Sequence, residues 1–108
     1  MGKTKGSIVG KKQVNEVVRT KLSGQAPDEK TFVLKDGRKL HTIYELIDEL
    51  ETMSDDAFRQ FVNDRKNDFA SWIEGVFNDR ALASELKGLQ QRLDTQRAIL
   101  KHVVRVLQ

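Results

Sequence analysis

The chain has 108 residues, 38% hydrophobic and 32% charged, so we expect one domain with a small core. It contains no cysteine, which excludes disulfides and thiolate metal sites, and no apolar run approaches the roughly 18 residues of a membrane span. Its net charge of +3 combines an acidic middle, −6 over residues 22–79, with two basic ends, +5 over 1–21 and +4 over 80–108. The basic start lacks the apolar segment of a secretory signal, so we expect a cytoplasmic protein with no membrane partner.

The N-terminal part is predicted to hold a tail and one short helix. Residues 1–11, rich in glycine and lysine, are expected to form a flexible basic tail. From Lys12 onward, apolar residues recur at helical spacing and predict a helix that ends near Gly24. The apolar face of this helix consists of Val14, Val17, Val18 and Leu22.

A small β-hairpin is predicted around Asp36-Gly37. This pair is typical of a two-residue type I′ turn, and apolar and polar residues alternate before it. The predicted strands are Thr31–Lys35 and Arg38–His41. Because an isolated two-stranded hairpin is marginal in water, it must lie against helices or pair with another hairpin across a dimer.

Three short helices are predicted next, each with a polar N-cap. Thr42 with Glu45 forms a capping box, Ser54 caps the second helix, and Asn67 or Asp68 caps the third. Large aromatic side chains dominate core burial, so we interpret the most prominent ones as core rather than as a binding surface. These residues are Phe69 and Trp72, the only tryptophan.

The acidic residues and the histidines give no catalytic pattern. The acids at the helix starts are interpreted as caps and dipole partners rather than as catalytic acids or metal ligands; they are Asp55, Asp56, Asp68 and Asp79. His41 and His102 lie in no metal-ligand or nucleophile pattern, and no phosphate-binding loop occurs. We therefore predict a non-enzymatic protein with no metal, no cofactor and no small-molecule substrate.

The C-terminal residues 81–108 are predicted to form one long amphipathic helix, capped by Asn78 or Asp79, with a coiled-coil heptad pattern. Gln96 is the one polar residue at the seam, and such a residue fixes register or oligomer state. Gly88 marks a bend or a close helix approach. The predicted self-association residues are Leu82, Leu86, Leu89, Leu93, Gln96, Leu100, Val103 and Leu107, with Ile99, Val104 and Val106 widening the apolar face.

Together these elements predict an α+β, mostly helical fold: a small β-hairpin packed on short helices, with a long C-terminal helix. The predicted parts are a tail (1–11), a compact domain (12–80) and the long helix (81–108). We expect a protein–protein interaction module that forms a homo-oligomer, or docks on a helical partner, through that helix.

The basic ends support an alternative function, a small protein that binds nucleic acid or associates with the ribosome. A cationic stripe repeats every four residues along one side of the last helix, and with the tail it would contact a phosphate backbone. A solvated basic face and contact with an acidic partner are the other interpretations. The residues concerned are Lys3, Lys5, Lys11 and Lys12 in the tail and Arg97, Lys101 and Arg105 in the helix.

Between Phe32 and Leu86 the chain reads FVLKDGRKL, YELIDEL, MSDDAF and NDFASWIEGVFNDRALA. This order resembles a small prokaryotic, largely archaeal, domain family of unknown function with an NDFAxWIxxVxxDxxLA motif. Members often carry a histidine before a Val-Asn pair, where this chain has Phe61. The resemblance implies the fold of the domain and no particular activity.

Overall fold

The computed structural model describes residues 24–107, so the predicted basic tail and the predicted helix after Lys12 lie outside the described residues. Within that range the α+β, mostly helical fold is confirmed. After a short 3-10 turn at Asp28–Lys30, the elements are β1 (Phe32–Val33), β2 (Lys39–Leu40), α1 (Ile43–Thr52), α2 (Asp55–Arg59), β3 (Val62–Asn63), β4 (Lys66–Asn67), α3 (Asp68–Phe77), α4 (Arg80–Lys87) and α5 (Arg92–Leu107).

The predicted first hairpin is present, but its strands are shorter and its turn differs. The backbone N–H of Leu34 donates to the Arg38 carbonyl at 2.8 Å, and the N–H of Gly37 donates to the Leu34 carbonyl at 2.9 Å. Only Gly37 has a positive φ in this loop, 91°. The loop therefore has three residues ending in a left-handed glycine, and the predicted two-residue type I′ turn is wrong.

A second antiparallel hairpin, β3–β4, lies between α2 and α3, where no strand was predicted from the sequence. The side chain of Asn63 organises its turn. The Asn63 carbonyl oxygen accepts from the Arg65 N–H at 3.0 Å, and its amide donates to the Arg59 carbonyl at 3.1 Å. An asparagine side chain thus replaces the glycine that usually signals a short hairpin.

The predicted N-caps are confirmed. Where the sequence left two candidates, the cap is Asn67 rather than Asp68, and Asp79 rather than Asn78. The side chains of Thr42, Ser54, Asn67 and Asp79 each accept a backbone N–H three residues on, at 2.9–3.1 Å. Asn78 is instead the left-handed residue that ends α3, with a φ of 57°. The acidic residues at these helix starts therefore lie where helix capping and the helix dipole favour them.

The core is built around an aromatic cluster, as the sequence predicted. Phe69 is fully buried and Trp72 is 8% exposed. The indole Nε1–H of Trp72 donates to the carbonyl of Lys30 at 2.8 Å, which ties the segment before β1 to α3. The buried aromatic residues in contact with one another are Phe32, Phe58, Phe61, Phe69, Trp72 and Phe77.

The prediction of one continuous helix over residues 81–108 is wrong. The chain forms two helices, α4 and α5, separated by residues 88–91. Gly88, where the sequence indicated a bend, is the first residue of this break, and its N–H bonds to the Glu85 carbonyl at 3.3 Å. The break lets α5 fold back onto the domain and pack against α1 and α4.

Three polar contacts, which we call the polar anchors, hold α5 on the domain. They involve residues 92, 96 and 102 of this helix. Polar groups at partly buried sites are favourable when they are hydrogen-bonded, so these contacts fix the position of α5 as well as stabilising it. The anchors join Arg92 to the Leu50 carbonyl (2.6 Å), Gln96 to the Ile47 carbonyl (3.1 Å) and His102 to the Asp79 carboxylate (2.8 Å).

Candidate self-association surface on the last helix

The structure divides the predicted self-association residues into a buried set and an exposed set. Leu82 and Leu86 are fully buried, Val103 is 4% exposed and Gln96 is 9% exposed, while Leu89 is partly buried against the same core. These side chains pack inside one chain. A buried side chain offers no surface to a second copy, so this set is corrected from interface to core.

The exposed set lies entirely on α5. Leu93, Leu100 and Leu107 are 52%, 43% and 58% exposed. Val104 is also 52% exposed. The predicted heptad ran through Gln96 and Val103, which are buried. It therefore placed Val104 beside the predicted seam and not in it.

The exposed apolar residues form one stripe along the outward side of α5. Together with Arg97 they recur in alternating steps of four and three residues. At about 100° per residue these steps keep all five on one face, turned by about 100° around the helix from the buried residues Ile99 and Val103. We call this face the outer stripe; it consists of Leu93, Arg97, Leu100, Val104 and Leu107.

A shallow, open depression lies on this face near the C-terminal end of α5. It is lined by Leu100, Lys101, Val104 and Arg105. Its floor is apolar and its edges carry two cationic side chains. Contiguous exposed apolar patches are typical of contact sites for other apolar surfaces, which makes this face the candidate site.

The charged side chains on α5 do not all have the same surroundings. Arg105 lies 3.6 Å from the Glu85 carboxylate of α4. Arg97 lies on the outer stripe itself. Asp94 and Lys101 are exposed and lie one residue after Leu93 and Leu100, on one flank of the stripe. The stripe therefore has a charged flank on one side.

The candidate nucleic-acid contacts are placed only in part. Arg97, Lys101 and Arg105 are all exposed on α5, as the four-residue repeat predicted. The tail residues Lys3, Lys5, Lys11 and Lys12 lie outside the described residues. Among residues 24–107, Tyr44 is the only exposed large aromatic side chain, and it belongs to α1.

A polar cleft between the β3–β4 hairpin and the α4–α5 connection was not foreseen from the sequence. It is lined by cationic and amide side chains, among them Arg65, Lys66, Lys87 and Gln90. Lys66 lies 2.8 Å from Asp68, and Lys87 lies 3.2 Å from Glu74. These carboxylates already balance most of the positive charge, so the cleft is not organised for an anion.

The described residues contain neither a candidate metal cluster nor a helix that could span a membrane. Between residues 24 and 107, no group of three histidine or acidic side chains is placed to hold a metal ion. His41 lies 3.9 Å from Asp28 and 3.8 Å from Glu45, in a loosely arranged surface group. Over the same residues, no helix is long and apolar enough to span a membrane.

No family model, no curated protein and no solved structure matches this chain. The resemblance of Phe32–Leu86 to a prokaryotic domain family therefore stays a prediction based on its motif residues.

Proposed function

We propose that the protein is a non-enzymatic self-association module in which the outer stripe of α5 pairs with the outer stripe of a second copy. The single observation that carries this proposal is the row of four half-exposed apolar side chains, Leu93, Leu100, Val104 and Leu107, on one helix face. Steps of four and three residues are the spacing by which two helices pack side chains between one another. The stripe is therefore patterned for another helix.

The expected affinity follows from the apolar surface that pairing would bury. Fully burying a Leu or Val side chain is worth about 1.5–3 kcal/mol. The four stripe residues are 43–58% exposed. Covering their remaining surface on both helices thus contributes about 6–12 kcal/mol, against an association cost of about 4–15 kcal/mol. At the favourable end of both ranges the difference is about 8 kcal/mol, so we expect a weak dimer with a dissociation constant in the micromolar range or higher.

Sedimentation equilibrium of the full chain tests this proposal. The variant Leu93→Asp plus Leu100→Asp places a charge at two positions of the stripe, and we expect it to be monomeric at concentrations where the wild type is dimeric. Val33→Asp is the control, because Val33 is an apolar residue that is 54% exposed but belongs to β1 and not to the outer stripe. A wild-type chain that stays monomeric up to about 100 micromolar would contradict the proposal.

Binding to nucleic acid or the ribosome is the second candidate. It is supported by the exposed row Arg97, Lys101 and Arg105. The row is interleaved with leucine and valine side chains, and base-stacking aromatics are absent from the described part of α5. Binding of the full chain to DNA and RNA at about 50 mM salt, compared with a variant that has glutamine at all three positions, tests this candidate. Equal binding by both proteins, or no binding, would exclude this row as the contact.

A cytoplasmic location stays a prediction from the composition of the chain. The self-association module would act there by pairing with itself or, through the same stripe, with a helical partner. Measuring the mass in solution before and after nuclease treatment separates these functions, because only a nucleic-acid complex loses mass on digestion.

A further inference from the structure

The outer stripe carries a charge pattern that favours one orientation of the two helices. Arg97 is its only charged residue and has apolar residues of the stripe on both sides. In a parallel pair every stripe residue faces its own counterpart, so the two Arg97 guanidinium groups would meet between the helices. Like charges brought together at an interface are unfavourable. The parallel arrangement is thus penalised at its centre.

An antiparallel pair avoids this contact. With a two-fold axis between the helices, Leu93 of one copy lies beside Val104 of the other, and Arg97 lies beside Leu100. The methylene groups of an arginine can cover an apolar neighbour while its head reaches water. The part of the stripe from Leu93 to Val104 is therefore self-complementary in this direction.

The flanking charges select the register of the antiparallel pair. Asp94 and Lys101 lie on the same flank of the stripe, and a two-fold axis brings that flank of one copy against the same flank of the other. In the register described above, Asp94 of each copy is offset from Lys101 of the other by only about 3 Å along the helix axis. The symmetric pair therefore contains this contact twice.

Neighbouring registers lack this complementarity. A shift by one heptad in one direction would bring Asp94 against Asp94 of the second copy, and a shift in the other direction would bring Lys101 against Lys101. The opposite flank of the stripe holds Gln96 and Val103, which are buried in the chain's own core, and the Glu51 carboxylate of α1 bonded to Gln96. The flank on which this register brings opposite charges together is the one with Asp94 and Lys101.

We propose that two copies of the chain pair antiparallel through α5 about a two-fold axis, with Asp94 of each copy beside Lys101 of the other. This inference rests on the self-association proposed above and adds its partner geometry. It identifies Asp94, a residue that the sequence pattern did not single out, as a determinant of pairing.

Disulfide cross-linking tests the orientation, because the chain has no cysteine of its own. Full-length Leu93→Cys and Val104→Cys variants are oxidised separately and as a mixture. In the antiparallel pair the mixture forms a disulfide-linked heterodimer. Leu93→Cys alone does not cross-link, because the two copies of residue 93 are about 16 Å apart along the helix axis. Efficient cross-linking of Leu93→Cys alone would show a parallel pair and overturn the inference.

Charge exchange tests the register. Asp94→Lys and Lys101→Asp each convert two attractive contacts into two repulsive ones, and we expect each variant to raise the dissociation constant roughly tenfold. The double variant restores opposite charges and should return the constant close to the wild-type value. Additive weakening in the double variant would overturn the proposed contact. Both residues are exposed, and the fluorescence of Trp72 verifies that each variant is folded.

The outcomes separate this inference from the proposed function. A dimer that cross-links in neither cysteine arm contradicts the antiparallel α5 contact while leaving self-association intact. A monomeric wild type removes both proposals. If that monomer is also destabilised by Leu93→Asp at every concentration, the outer stripe is covered within the chain and not by a second copy.

Discussion

The side-chain amide of Gln96 donates to the backbone carbonyl of Ile47 at 3.1 Å and to the carboxylate of Glu51 at 2.8 Å. These bonds join the second turn of α5 to α1, where Gln96 is only 9% exposed. The sequence pattern indicated that this polar residue fixes a helix register. The structure shows that the helices concerned belong to one chain.

Replacing Gln96 by alanine should therefore lower the stability of the monomer. The variant loses two hydrogen bonds, one of them to a charged group, and leaves a small cavity. We expect a loss of about 1–3 kcal/mol in the free energy of unfolding by urea. Gln90→Ala, at an exposed position before α5, is the control and should change stability by no more than about 0.5 kcal/mol. A change of oligomer mass with unchanged stability would place Gln96 between chains instead.

Leu86 and Leu93, both predicted as seam residues, should behave differently when changed to alanine. Leu86 is fully buried, so Leu86→Ala should destabilise the monomer by about 2–5 kcal/mol. Leu93 is 52% exposed, so Leu93→Ala should change monomer stability by about 0.5 kcal/mol or less. Urea unfolding at low protein concentration measures both values. Equal losses would mean that the outward side of α5 is covered within the chain.

The prediction of a single seam failed because α5 carries two rows with the same spacing, offset from each other by one residue along the chain. An inner row at residues 92, 96, 99, 103 and 106 faces the domain, and the outer stripe follows each of these positions by one. Both rows have steps of four and three residues. The heptad read from the sequence took Gln96 and Val103 from one row and Leu93, Leu100 and Leu107 from the other. Only the position of the core distinguishes them.

Features that depend on residues close together in the sequence were predicted more fully than those that depend on distant residues. The capping box at Thr42 and Glu45 and the caps at Ser54, Asn67 and Asp79 involve residues three positions apart, so the sequence contains the whole interaction. The β3–β4 hairpin was missed because its turn depends on an asparagine side chain, which is a weaker signal than glycine. The polar anchors of α5 join residues more than twenty positions apart and leave no local pattern.

Asp79 should contribute to stability through two separate oxygens. One accepts the Leu82 N–H at 3.1 Å and caps α4, while the other lies 2.8 Å from His102 on α5. Asp79→Ala removes both contacts and should cost about 1–3 kcal/mol. Asp79→Ser keeps a capping oxygen and should recover about 1 kcal/mol of this loss. Thermal unfolding of these variants, with His102→Ala as the variant that loses only the second contact, checks the division. Equal stability of the alanine and serine variants would exclude the capping role.

The first hairpin should contain an acid-sensitive contact at Asp36. The N–H of Arg38 donates to the Asp36 carboxylate at 3.0 Å, and the Arg38 guanidinium donates at 2.7 Å. These hydrogen bonds, the backbone one foremost, lower the pKa of Asp36 below its ordinary value of 3.8. The ionised carboxylate therefore stabilises the hairpin above that pH, and the contribution is lost as the pH falls through the lowered pKa. Asp36→Asn should thus remove stability at neutral pH but make little difference in strong acid.

An NMR titration of the Asp36 carboxyl group measures its pKa directly. Arg38→Gln removes the guanidinium but keeps the backbone N–H, so it should raise the pKa only part of the way back toward 3.8. The same substitution also removes the bonds from Arg38 to Glu49 on α1, at 3.0 and 2.7 Å, and should loosen the hairpin from that helix. A pKa for Asp36 at or above 3.8 in the folded wild type would show that the turn does not depend on this carboxylate.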